Sequence, residues 1–101
     1  MAQLLVLYNA PADPAAFQDY YHRTHTPLAK RIPGLRSLTI SDGPVQSPGG
    51  NAPYLIAHLT FDSMDDLQSA LVSPEGKASA ADLENFASGG ATMLIYDSKA
   101  V

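Results

Sequence analysis

Residues 3–8, QLLVLY, form an apolar run that Asn9 and Pro11 stop. That length and those bounds predict a buried strand. Asp13-Pro14 then announces a helix, with an aspartate to cap free N–H groups and a proline at the first helical position, where no N–H is needed. Phe17, Tyr21, Thr24 and Leu28 recur at i, i+4, i+7 and i+11, which predicts one buried helical face. Pro33-Gly34 closes the helix, and residues 35–41 read as a second strand. Residues 42–53 carry the clusters DGP, SPGG and NAP and read as a long connecting loop. Residues 54–61 are a third strand whose alternation puts Tyr54, Ile56, His58 and Thr60 on one face and Leu55, Ala57, Leu59 and Phe61 on the other. Ser63 caps a helix with Met64, Leu67 and Leu71 as its buried stripe. Ser73-Pro74 starts a further short helix to about Asn85, Gly89-Gly90 ends the helical region, and residues 91–96 are a last strand.

The order β α β β α (α) β predicts a two-layer α+β sandwich, an antiparallel sheet with its helices on one face. The third strand offers apolar residues to both faces, so the face without helices calls for a cover. A second copy of the chain is the simplest one, and a homodimer is expected. A chain of 101 residues suits one domain, residues 1–101, and a domain of that size gains from burying surface against a copy of itself.

Charge and composition narrow the function. The net charge is −4, and the six Lys and Arg are scattered, so no basic stripe exists for nucleic acid. With no cysteine, disulfides, thiolate metal sites and a cysteine nucleophile are excluded. No apolar segment approaches a membrane span, and the first residues do not read as a signal peptide. A soluble, cytoplasmic protein is expected.

The stretch YYHRTHTPLAKRIPGL, residues 20–35, holds two of the three histidines, with Pro27 two residues after the second. His25 flanks the predicted buried face and lies beside Pro27. Pro27 has no N–H to give the Arg23 carbonyl, and it should push Thr26 out of helical angles, so a kink or restart is expected there. A half-buried imidazole at such a break can exchange protons with a ligand. It can equally bond a local carbonyl as a helix-end histidine. His22 falls on the far side of the wheel and is expected in solvent. Asp19, His22 and His25 have ladder spacing, but nothing further completes a zinc site, so no metal is expected. His58, beside Tyr54 and Thr60, can line a pocket or sit at a subunit contact. The tyrosines can offer phenol donors to a mostly apolar cavity. No G-x-S-x-G elbow, GxGxxG or P-loop is present, which disfavours a serine triad and nucleotide cofactors.

YYHRTHTPLAKRIPGLRS resembles the signature helix of the EthD family, named for ethyl tert-butyl ether degradation. FDSMDDLQSALVSPEGKASAADLENF is similar to that family's second half. The resemblance implies a ferredoxin-like fold that pairs across a twofold axis into a dimeric α+β barrel. It implies a small hydrophobic oxygenated ligand, such as a lactone or aromatic polyketide, and no cofactor. The histidine of H-x-P-L becomes the acid-base candidate, which here is His25. The expected function is a cofactor-independent enzyme of isomerase, decarboxylase or monooxygenase type, with Tyr8, Tyr21, Tyr54 and His58 as ligand-binding residues. The alternative is a non-catalytic dimeric binding module, and a third possibility is haem or metal held by His22, His25 or His58. Many family members carry a tyrosine at the position of Leu38, so a partner for His25 would have to be Tyr8, Tyr54 or His58.

Overall fold

The computed structural model describes residues 1–101. Four strands, β1 (Ala2–Tyr8), β2 (Ser37–Ile40), β3 (Leu55–Phe61) and β4 (Ala91–Asp97), form one antiparallel sheet in the order β2-β3-β1-β4. The helices are α1 (Pro14–Tyr20), α2 (Thr26–Ala29), α3 (Met64–Val72), α4 (Pro74–Ala81) and α5 (Leu83–Phe86). The topology is the expected ferredoxin-like α+β sandwich.

Strand alternation builds the core. Ala2, Leu4, Val6 and Tyr8 of β1 and Leu55, Ala57, Leu59 and Phe61 of β3 are all buried under the helices. The caps act as the sequence suggests. The Asp13 carboxylate accepts from the Ala16 N–H, and the Ser63 hydroxyl accepts from the Asp66 N–H. Ser73 ends α3 and caps α4 by accepting from the Gly76 N–H. That tight corner requires Gly76, because a Cβ there would overlap the Ala70 carbonyl oxygen. In α3 the buried pair is Leu67 and Ala70, with Met64 and Leu71 at the edge of the core.

The first helix departs from expectation in a way that positions the site. Residues Tyr21–His25 form a π-helical turn between α1 and α2, and the Thr26 N–H bonds back to the Tyr21 carbonyl. Thr26 stays helical, at φ −58° and ψ −47°, and is not driven out by Pro27. The wider turn adds a residue ahead of the proline, so a local change of register replaces the kink. It also resets the buried stripe to Phe17, Tyr21, His25 and Ala29, while Thr24 is exposed and Leu28 half-buried. In a regular α-helix each four-residue step drifts by about 40° around the axis, so His25 would sit at the flank. The π turn removes part of that drift and brings His25 fully inside.

The opposite face of the sheet carries no helix. Leu5 pairs across to His58 on one side and Leu94 on the other, and Leu7, Ile56 and Thr60 share this face. Strand β4 lies at the edge beyond the helices, and Met93, Leu94, Ile95 and Tyr96 are all exposed.

Candidate active site

His25 ends the π turn with 6% of its surface exposed. Its Nδ1 lies 2.9 Å from Oδ2 of Asp82, at the junction of α4 and α5. An ionised carboxylate only accepts, so Nδ1 carries the proton and donates it, leaving the lone pair on Nε2. The other carboxylate oxygen of Asp82 is fully engaged. Tyr20 donates its hydroxyl to Oδ1 at 2.6 Å, and the Asn85 amide donates to the same atom at 2.9 Å. Burial pushes the Asp82 carboxyl up, but the hydrogen bonds from Tyr20, Asn85 and His25 outweigh it and hold the group below its ordinary range. The same bond to Asp82, aided by desolvation, raises the Tyr20 phenol.

The partner of His25 is therefore Asp82, not Tyr8, Tyr54 or His58. Sequence reasoning missed it because the two residues are 57 positions apart and Asp82 carries no local signature. The spacing Asp82-x-x-Asn85 was the one available hint, since one helical turn lets the amide hold the carboxylate.

On its other side the imidazole borders a cavity between the helices and the sheet. Fifteen of the eighteen lining residues are hydrophobic, among them Leu4, Val6, Leu59, Leu83 and Met93, and none carries a fixed charge. The enclosed space is small, about 40 Å³, and opens to solvent. His25 and the buried Ser79 are the polar side chains in a wall that also holds Tyr8 and Tyr21. Tyr21 bridges the wall, its ring centroid 5.7 Å from that of Tyr8 and 5.4 Å from that of His25. Burial raises the Tyr21 phenol to about 12. Tyr8 goes well above the usual phenol range, through burial first and then the nearby Tyr21 and Asp82.

The structure thus brings together three of the five expected site residues: His25, Tyr8 and Tyr21. Tyr54 sits outside the cavity, where its hydroxyl accepts from the Gln18 amide at 2.9 Å. His58 is on the opposite sheet face because the strand alternation that buries Ala57 and Leu59 turns it away. His22 is exposed beside Gln18, and no three His, Asp or Glu side chains cluster as metal ligands.

A buried His–Asp pair at the wall of an apolar cavity, on a ferredoxin-like sheet, is the setting in which the family becomes recognisable. The chain belongs to the EthD domain family, whose profile matches residues 9–90. It is 44% identical over 103 residues to a Rhodococcus erythropolis protein described as an uncharacterized 11.0 kDa protein in the thcB-thcC intergenic region, covering 100% of this chain and 98% of that one. It is 37% identical to an EthD family protein from Bacillus halodurans C-125, with a TM-score of 0.87 over 98% of this chain and 99% of the other. The fold alone is shared with SnoaB, a cofactor-independent oxygenase from Streptomyces nogalater, at a TM-score of 0.66, 16% identity and coverage of 99% and 94%. A dimeric protein of ferredoxin-like fold from Bacteroides fragilis aligns with a TM-score of 0.63, 17% identity and coverage of 95% and 94%. No helix in this chain is long and apolar enough to cross a membrane.

Proposed function

We propose that this protein is a small-molecule enzyme that moves a proton on a small, hydrophobic, oxygenated compound, with His25 as general acid and base and no cofactor. One observation carries this reading. His25 is buried, its Nδ1 is held by Asp82, and its ring lines a cavity without a charged side chain. Asp82 fixes the tautomer and steadies the imidazolium formed when Nε2 takes a proton, as the carboxylate does in other His–Asp pairs. Reaction types that fit are isomerisation, decarboxylation and cofactor-free oxygenation, and the oxygenase that shares this fold supports the last. Isolated charges are costly in such a cavity, so a neutral substrate fits it best.

The test is a turnover screen over lactones, phenols and quinone precursors, followed by His25→Ala on any substrate found. Loss of about 10²–10⁴-fold in rate is expected for a positioned acid-base group. Full turnover by the variant, or tight retention of a ligand without chemical change, would instead mark a binding module.

We further propose that a second copy covers the open sheet face, and that the dimer works in the reducing cytoplasm, where a chain without cysteine loses nothing. Leu5, Leu7, Ile56 and Leu94 offer the apolar surface. His58 lies on the same face, and its Nε2 has no partner within the chain. Light scattering should report twice the chain mass; a monomer at working concentration would refute the dimer.

A further inference from the structure

Tyr8 and Tyr21 are each 1% exposed and line the cavity beside His25. Tyr20 and Tyr54 spend their hydroxyls on Asp82 and Gln18, but Tyr8 and Tyr21 bond to nothing in the chain. A buried phenol without a partner is expensive. The one side-chain polar atom sealed away without a partner is His58 Nε2, on the far side of the sheet. The hydroxyls of Tyr8 and Tyr21 are not sealed in this way, and the cavity that both residues line with His25 is where their missing partners are to be sought.

We propose that Tyr8 and Tyr21 form an oxyanion-binding pair, and that the site takes neutral carbonyl compounds bearing an acidic C–H next to the carbonyl, or their enol and phenol equivalents. This rests on the acid-base assignment of His25. Nε2 takes the proton from the carbon, the C–H bond breaks, and its electron pair moves through the adjacent carbon to the carbonyl oxygen. The two phenols donate to the enolate oxygen as its charge develops, while Asp82 faces the new imidazolium. Where a C=C adjoins that carbon, the electron pair spreads over a dienolate, and return of the proton from Nε2 to its far carbon completes an isomerisation, with no oxidant or reductant consumed. Both phenols are held above their ordinary range by burial, so they remain donors at neutral pH. The roles thus divide between one proton acceptor and two fixed donors in a cavity without a charged side chain to compete.

The test uses 4-nitrophenol, whose O–H stands in for the acidic C–H and whose phenolate stands in for the enolate. Wild type, Tyr8→Phe and Tyr21→Phe are titrated near pH 6. The absorbance reports phenolate, and the His25 ring proton is followed by NMR in the same samples. The wild type should bind the probe as phenolate below its solution pKa. Each Phe variant, folded by circular dichroism, should bind it about tenfold or more weakly, the scale for a hydrogen bond to a charge. The His25 signal should move in all three. Equal affinities in the three proteins, or no binding by wild type, would overturn the pair. Phenolate binding that depends on both tyrosines but leaves the His25 signal still would spare the pair and overturn the acid-base role instead.

Discussion

Two histidines lie on opposite sides of the same sheet, and they meet opposite conditions. His25, in the helical layer, has one nitrogen bonded to a carboxylate that is itself held by a tyrosine and an asparagine, and its ring lines a cavity. His58, on the face without helices, has its Nε2 closed off with no partner in the chain. Both positions are largely dry, so burial alone does not separate a site from a surface awaiting a cover. The difference is the shell around each ring. A supported imidazole has the shell that the proposed proton transfer needs, whereas the one among Leu5, Thr39 and Ile56 has none.

The strongest way to break the contrast is Asp82→Ala. It strands three donors, from His25, Tyr20 and Asn85, and should cost about 3 kcal/mol or more in urea unfolding, as loss of one partner of a buried pair does. A loss below about 1 kcal/mol would mean that the network is not holding the helical layer together. His25→Leu should cost about 2 kcal/mol, because Asp82 keeps two of its three donors while losing the one from the ring. His58→Leu sharpens the other half of the contrast. It removes an unpaired buried nitrogen and should leave stability unchanged or raise it by about 1 kcal/mol, with dimerisation retained in light scattering.

Acid sensitivity should follow the same division. The folded-state pKa of Asp82 lies below its unfolded value, near ~3.9, so its contribution is full above that value and is lost as pH falls through the folded one. Asp62, lowered by its exposed two-bond pairing with Arg36, acts with the same sign but is screened by solvent. Melting temperature should therefore fall below about pH 4 in wild type, and Asp82→Asn should flatten that limb more than Asp62→Asn. Equal flattening by the two variants would place the acid response on the surface. The smallest effect belongs to His22→Ala, which should change stability by no more than ~0.5 kcal/mol, since the ring is exposed and bonds only to Gln18.

The sheet and its faces were legible because alternation in residues 55–61 is local and unbroken, and the caps at Asp13, Ser63 and Ser73 announce themselves by residue type. The π turn was not, because proline rules describe a regular helix and the extra residue is a tertiary choice. Its only trace is the strict four-residue spacing of Phe17, Tyr21, His25 and Ala29, where a helical wheel prefers Thr24 and Leu28. Tyr8 and Tyr21 line the cavity beside His25 because both lie on buried faces. Tyr54 and His58 do not, one drawn aside by Gln18 and the other turned outward by strand parity. The spacing Asp82-x-x-Asn85 hints at a held carboxylate, but its pairing with His25 is beyond local pattern, since that ring comes from the other half of the chain.

The central claim is that Asp82 holds the proton on Nδ1 of His25 and leaves Nε2 as the free base. Nitrogen-15 NMR of the ring at neutral pH distinguishes the two nitrogens directly. The account predicts a protonated Nδ1 and a bare Nε2 in wild type, with the preference lost in Asp82→Ala. A wild-type ring that carries its proton on Nε2 would contradict it.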